Sequence, residues 1–131
     1  MPRLSDRAAA AAARRAQRRA ALSGHQCNWR QVLKRLKRAE TRLLRKGWIQ
    51  GKFWSPAGFC LVGALEARDH IKTDWSVMGG ACSVLRACIP IKQGPELSEW
   101  NDQKGRTKAQ VIALVRKGQQ VVGRLIEKER K

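Results

Sequence analysis

The sequence predicts a mainly α-helical protein: a small domain of about four to five helices with one short β-hairpin, plus a basic N-terminal arm. Three observations lead to this prediction. Apolar residues recur at helical spacing after residue 28, one segment is rich in aromatic residues, and alanine and arginine dominate the first 24 residues. We therefore assign residues 1–24 to the arm and residues 25–131 to the compact domain.

The arm combines the strongest helix-forming residue with paired arginines. Residues 7–22 read RAAAAAARRAQRRAAL, which contains almost nothing to bury. We expect this segment to be flexible in isolation and to become helical on a polyanion.

The first helix of the domain is amphipathic. Asn28 is a suitable N-cap and Gly47 a suitable C-terminal stop. The apolar positions between them follow the three-four spacing of one helix face: Trp29, Val32, Leu33, Leu36, Ala39, Leu43 and Leu44. The opposite face carries a cationic stripe interrupted only by Glu40: Arg30, Lys34, Arg35, Lys37, Arg38, Arg42, Arg45 and Lys46.

The middle of the chain predicts a hairpin and two core helices. Residues 48–61, WIQGKFWSPAGFCL, place aromatic runs on both sides of a Ser-Pro-Ala-Gly turn, which is typical of a small hairpin. A short apolar helix over residues 60–68 follows, and a second helix covers residues 75–89, with Asp74 before it and Pro90 after it.

The last third predicts a connection and a long helix. Residues 91–106 are rich in Gly, Pro and charge, and we expect a short helical turn there, held to the core by Leu97 and Trp100. Thr107 with Gln110 forms a capping-box pattern, after which an apolar stripe continues into the final helix.

Charge is the main indication of function. The chain has 28 Lys and Arg against 10 Asp and Glu, a net charge of +18, and residues 1–46 hold 14 of these cations against only Asp6 and Glu40. Such an excess repels itself unless an anionic partner neutralises it. No segment has the roughly 18 uncharged apolar residues needed to cross a bilayer. We expect a cytoplasmic protein without a membrane partner, although the Arg/Ala-rich start also resembles a transit peptide that is removed.

The cysteines and histidines do not favour a metal, a cofactor or catalysis. Four cysteines, Cys27, Cys60, Cys82 and Cys88, lie in apolar contexts and are expected to be reduced thiols. Neither His25-x-Cys27 nor the pair Cys82 and Cys88 has a usual zinc spacing. A Cys60–His70 thiol–base pair is conceivable, but we expect no enzyme, no metal and no cofactor.

The residues expected to bind nucleic acid are the clustered cations. Arginine pairs with phosphate in a bidentate manner and lysine acts as a point charge. The predicted contacts are Arg14, Arg15, Arg18, Arg19, Lys34, Arg35, Lys37, Arg38, Arg42 and Arg45.

Aromatic residues could also stack on single-stranded bases if they are exposed beside this basic surface. Core packing is expected for most of them. The exception is the predicted hairpin tip with Lys52, Phe53 and Trp54.

Three strings carry a family resemblance. They are the Trp-x-Gln-Gly of residues 48–51, the Cys-x-x-Gly-Ala-Leu of residues 60–65 and WNDQKGRTKAQV of residues 100–111. In this order they resemble an uncharacterised family of small actinobacterial and phage-encoded proteins, over residues 29–117. The resemblance implies a compact, mainly helical domain of a bacterial or phage cytoplasm, and it implies no activity. Trp100, Asn101 and Asp102 suit turn-forming hydrogen bonds or a helix cap better than a catalytic role.

Two functional hypotheses follow. The first is a non-enzymatic DNA- or RNA-binding protein that contacts the phosphate backbone through the arm and the basic helix. The alternative is a phage or bacterial interaction module that binds an acidic host protein or a ribosomal surface.

Overall fold

The part of the chain that the structure describes contains five helices with defined bounds, further helical residues near the N-terminus and one small hairpin. The computed structural model describes residues 7, 10–12, 14, 15, 18, 28–66, 75–90 and 96–130. Within them the elements are α1 (Trp29–Lys46), β1 (Trp54–Ser55), β2 (Gly58–Phe59), α2 (Leu61–Glu66), α3 (Trp75–Cys88), α4 (Leu97–Asp102) and α5 (Lys108–Glu129). The mainly α prediction with one hairpin is confirmed.

Helix α1 is the central element. Asn28 Oδ1 accepts from Gln31 N at 3.2 Å and caps its start, while the Gly47 N–H donates to Leu43 O at the other end. The helix packs against α5, α3 and α2 through a buried stripe that begins at Trp29 and ends at Leu43. Leu44 is an exception to the predicted stripe, because it is 49% exposed. Successive helical residues are about 100° apart, and Leu44 lies on the side of Leu43 that faces solvent.

Helix α5 covers α1 and α3. Both bonds of the predicted capping box are present, since Gln110 N donates to Thr107 Oγ1 and Thr107 N donates to Gln110 Oε1. A Cβ added at Gly118 would lie 2.7 Å from Leu85 Cδ2 of α3 and 3.6 Å from Leu36 Cδ1 of α1. The missing side chain at this position therefore lets the three helices approach closely.

The hairpin closes over the C-terminal end of α1. Trp54 pairs with Phe59, and Ser55 pairs with Gly58, in an antiparallel register. Phe59 N also donates to Gly47 O, so β2 lies against the residue that ends α1. Gly47 and Gly58 have φ values of +99° and +143°, and a Cβ on Gly58 would lie 2.2 Å from Gly47 O. Only glycine allows the two backbones to meet in this way.

The hairpin differs from its prediction in one respect. Its turn is formed by Pro56 and Ala57, so Phe53 and Trp54 lie at the start of the first strand and not at the tip. The Ser-Pro-Ala-Gly turn itself is where the sequence predicted it. The structure describes the second core helix from Trp75 and the one before it as far as Glu66, while Asp74 lies outside the described residues.

Seven of the first 18 residues are described, and all seven are helical: Arg7, Ala10, Ala11, Ala12, Arg14, Arg15 and Arg18. Ala12 is fully buried and belongs to the same apolar cluster as the core of the domain. Part of the predicted arm is therefore in contact with the domain.

Candidate nucleic-acid interface

The solvent-facing side of α1 is cationic. We define the α1 cationic face by its exposed basic residues: Arg30, Lys34, Lys37, Arg38, Arg45 and Lys46. Glu40, the only acidic residue of α1, does not lie on this face. Its carboxylate accepts a hydrogen bond from Gln119 Nε2 at 2.9 Å and lies 3.5 Å from Arg116 Nε. Gln119 and Arg116 both belong to α5. The α1 cationic face is thus free of its own helix's negative charge.

Two of the predicted phosphate-binding arginines of α1, Arg35 and Arg42, donate hydrogen bonds to backbone carbonyls of α2. Arg35 Nη1 donates to Leu65 O at 2.6 Å, and Arg42 Nη1 donates to Ala64 O at 2.9 Å. Both side chains are half-buried. The last carbonyls of a helix lack intrahelical donors and carry partial negative charge. These two arginines therefore cap the C-terminal end of the short helix α2 and hold it against α1.

The N-terminal arginines divide in a similar way. Arg15 donates to Ala87 O through Nε at 3.2 Å and through Nη2 at 2.5 Å, so it caps the last turn of α3. All four described N-terminal arginines are exposed, and the spacings of seven and four residues place Arg7, Arg14 and Arg18 on one face of a helix. Arg19 lies outside the described residues. The candidate phosphate contacts thus sit on two elements, the α1 cationic face and the exposed N-terminal arginines.

A buried asparagine joins the three motif strings. Asn101 is fully buried, and its Oδ1 accepts from Trp48 Nε1 at 2.6 Å and from Leu61 N at 3.0 Å. Its Nδ2 donates to Ile49 O at 3.1 Å and to Asp102 Oδ1 at 3.0 Å. A side-chain amide has two donor and two acceptor positions, and all four are used here. The bond from Leu61 N makes Asn101 a cap for the first turn of α2, supplied from another element.

Neighbouring motif residues extend this network. Gln50 Nε2 donates to Asn101 O at 2.9 Å and to Gln103 O at 3.0 Å, and Gly51 N donates to Asp102 Oδ1 at 2.9 Å. The guanidinium carbon of Arg106 lies 3.9 Å from the centre of the Trp100 ring, and Arg106 Nε donates to Trp100 O. These contacts support the predicted structural role of the Trp-Asn-Asp string.

Of the three described thiols, Cys60 and Cys88 are buried and Cys82 is half-buried, and the pKa of each is raised. Cys60 Sγ accepts from Gly63 N at 3.3 Å, and desolvation by burial raises the pKa of this thiol above its ordinary value of 9.0. Burial also raises the pKa of Cys82 and that of Cys88 to about 11. A raised pKa keeps a thiol protonated and unreactive. Cys27, His25 and His70 lie outside the described residues.

The described residues contain no group of three or more His, Cys, Asp or Glu side chains that could hold a metal ion. In the same part of the chain, no helix combines the length and the apolar character needed to cross a membrane.

The aromatic residues separate into two groups. Trp29 and Trp100 are buried, and Trp48 and Phe59 are half-buried against the core. Phe53 is 60% and Trp54 62% exposed, and the neighbouring Lys52 is exposed as well. Core packing is also predicted for Trp75, whose side chain is outside the part that the structure describes.

Sequence reasoning missed the capping roles of Arg15, Arg35 and Arg42. Each joins residues at least 22 positions apart, and helical spacing carries no information about such pairs. A weak local signal existed for two of them. Arg35 and Arg42 lie seven residues apart, on the border between the buried stripe and the exposed face, where a long side chain can reach a neighbouring helix.

A family model matches most of the chain. Residues 27–120 match the model of a family of unknown function, DUF6197, and the chain belongs to that family. The matched region contains α1, the hairpin and the whole Asn101 network. No curated protein and no solved structure matches the chain.

Proposed function

We propose that this member of the family binds nucleic acid without catalysing a reaction, and that it does so chiefly through phosphate contacts. The observation that carries the proposal is the α1 cationic face, which extends along the solvent-facing side of an 18-residue helix. The one acidic residue within α1, Glu40, is held on the α5 side by Gln119 and Arg116.

Electrostatics supplies the mechanism. Each phosphate that a cation neutralises releases condensed counterions, which favours binding and makes the affinity fall with salt. A helix of 18 residues is roughly 27 Å long at about 1.5 Å per residue, so its cations can meet several successive phosphates. Such contacts are independent of base sequence. The proposal therefore covers DNA and RNA alike.

The contacts of the arginines narrow the residues involved. Lys34, Lys37, Arg38 and Arg45 on the α1 cationic face, with Arg14 and Arg18 from the N-terminal segment, are proposed to bind phosphate. Arg15, Arg35 and Arg42 are proposed to act mainly in the fold, because their guanidinium groups hydrogen-bond helix carbonyls. Arg19 remains a sequence-based prediction.

The proposal is tested with the full chain by fluorescence anisotropy on duplex DNA, single-stranded DNA and hairpin RNA over a series of salt concentrations. The double variant Lys34→Gln/Lys37→Gln should weaken binding to all ligands. It should also reduce the slope of log K against log salt by about 2 on duplex DNA, since each phosphate contact contributes about 0.9. Arg14→Gln/Arg18→Gln tests the N-terminal contribution without removing Ala12 from the core.

The matched control is Lys108→Gln/Lys128→Gln. It removes the same charge from exposed positions near the two ends of α5, about 30 Å apart at about 1.5 Å per residue. This variant should bind nearly as the unchanged protein does. Equal losses in both double variants would mean that net charge, and not the α1 cationic face, drives binding, and no binding near physiological salt would end the proposal.

A second candidate function has one supporting observation. Leu44 is 49% exposed within the run of α1 cations, and an apolar side chain at that position suits an acidic protein surface better than a phosphate. Under this alternative the protein is a phage or bacterial module that binds a host protein or a ribosomal surface. A purified complex that survives nuclease treatment and is weakened by Leu44→Ala would favour it.

A further inference from the structure

The segment Lys52–Trp54 exposes two aromatic side chains, and we call it the hairpin platform. Phe53 is 60% and Trp54 62% exposed. Fully burying a large apolar side chain stabilises a protein by roughly 1.5–3 kcal/mol, so two adjacent rings left in solvent are unusual.

The backbone that carries these rings is held firmly. Cys60 N donates to Phe53 O at 3.2 Å, and Trp54 pairs with Phe59, which packs against the core. Phe53 O also lies against α2 at Gly63, where an added Cβ would approach it to 1.9 Å. The exposed rings are therefore attached to an anchored backbone, which would lose little conformational freedom when a ligand binds.

Three exposed cations and one carboxylate lie in the hairpin platform or in the segments next to it. Lys52 is exposed beside Phe53, and Arg45 and Lys46 are exposed in the last turn of α1. This turn lies next to the hairpin, because Gly47 O accepts from Phe59 N at 3.0 Å. The carboxylate of Asp102 also reaches the hairpin, where it accepts from Gly51 N and Asn101 Nδ2. Exposed rings beside exposed cations are the combination that binds single-stranded nucleic acid.

We propose that the hairpin platform binds single-stranded nucleic acid, with bases stacked on Phe53 and Trp54 and phosphates held by Lys52, Arg45 and Lys46. A duplex keeps its bases stacked and paired, and cannot offer their faces to these rings. This inference rests on the proposed nucleic-acid binding and specifies its ligand class. An acidic protein is less suited to the platform, because two aromatic faces flanked by cations match bases joined by phosphates more closely.

The first test compares oligothymidine of about 15 nucleotides with a duplex of the same length, in about 150 mM salt. Phe53→Leu/Trp54→Leu keeps apolar side chains but removes both π faces. Its affinity for oligothymidine should fall about tenfold or more for each ring. Its affinity for the duplex should stay within about threefold of the original value, and the slopes of log K against log salt should change by less than about one unit. Leu44→Ala is the control, since it removes an exposed side chain that has no π face.

The second test reads stacking directly. Binding of oligothymidine should quench tryptophan fluorescence, and Trp54→Phe should lose most of this quenching while it keeps most of the affinity, because phenylalanine still stacks. A merely structural role of Trp54 would not separate fluorescence from affinity in this way. The measurement also remains informative if the double leucine variant fails to fold.

The outcomes separate the two proposals. If Lys34→Gln/Lys37→Gln weakens binding but Phe53→Leu/Trp54→Leu binds oligothymidine as the unchanged protein does, the platform inference is overturned and the proposed function stands. Equal losses on single strands and duplexes would also overturn it. If the unchanged protein binds no nucleic acid, both proposals fail together.

Discussion

At the scale of single residues, one side-chain amide connects three distant parts of the chain. Asn101 of α4 contacts Trp48 and Ile49 after α1, and it also contacts Leu61 at the start of α2. Buried hydrogen-bonding groups that lose a partner are expensive, because no water replaces it. Asn101 thus determines how the hairpin, α2 and α4 meet.

We predict that Asn101→Ala lowers the free energy of unfolding by about 2–4 kcal/mol, since it leaves the Trp48 indole N–H and the Leu61 backbone N–H without their acceptor. Urea denaturation measures this change. Lys104→Ala, at an exposed position in the turn after α4, should change stability by less than about 0.5 kcal/mol. A loss below about 1 kcal/mol in the Asn101 variant would show that the network contributes little.

The role of an arginine in this protein depends on its position in the fold. Arg35 and Arg38 are three positions apart on the same helix, yet Arg35 is half-buried and binds Leu65 O while Arg38 is exposed. Placement relative to the short helix α2 makes the difference. Mutagenesis that treats all cations of α1 as equivalent would mix effects on stability with effects on binding.

At the scale of elements, the junction of the hairpin and α2 depends on close backbone approach. Gly63 of α2 faces Phe53 O, and a methyl group there would overlap the carbonyl oxygen. Phe53 O also accepts from Cys60 N, so the hairpin cannot retreat without losing that bond. This junction orients the hairpin platform.

Gly63→Ala should therefore lower the free energy of unfolding by about 1–3 kcal/mol through overpacking. Gly123→Ala is the matched control in a helix, because an added Cβ there meets no atom within 4 Å. It should raise stability by up to about 1 kcal/mol through helix propensity. Thermal and urea unfolding of both variants would check the prediction, and equal effects in the two would contradict the steric argument.

At the scale of the whole molecule, a strongly cationic surface encloses a core that contains uncharged thiols. The net charge of +18 favours an anionic partner, while the apolar core includes three described thiols that carry no charge at neutral pH. Cys82 and Cys88 have pKa values raised to about 11 by desolvation. The folded state therefore holds these protons more tightly than the unfolded chain does.

The sign of the pH dependence follows from this difference. We predict that the contribution of the two thiols to stability is complete below pH 9 and is lost as the pH rises from about 9 towards about 11, since unfolding then releases protons. Urea denaturation under reducing conditions at several pH values between about 9 and about 11 measures this change in the free energy of unfolding. The test compares slopes, because Cys82→Ala/Cys88→Ala should show a flatter dependence of the free energy of unfolding on pH than the unchanged protein. Identical slopes would exclude the thiols as the cause.

Much of the fold could be predicted from local patterns. The caps Asn28 and Thr107, the stop at Gly47 and the apolar stripe of α1 all depend on residues within a few positions of one another. The clustering of cations on α1 has the same origin, because helical spacing alone assigns side chains to faces. These features are encoded by short-range spacing, and the structure agrees with them except at Leu44, which is exposed, and at Arg35 and Arg42, which are half-buried.

Other features depend on contacts between segments that are far apart in the chain. Spacing could not predict that Arg15, Arg35 and Arg42 would cap other helices, or that Asn101 would join all three motif strings. It also could not establish that Phe53 and Trp54 remain exposed while Phe59 packs inward, although it singled them out as candidates. Burial and hydrogen bonding at these positions are properties of the packed molecule, since each requires a partner that short-range sequence does not specify.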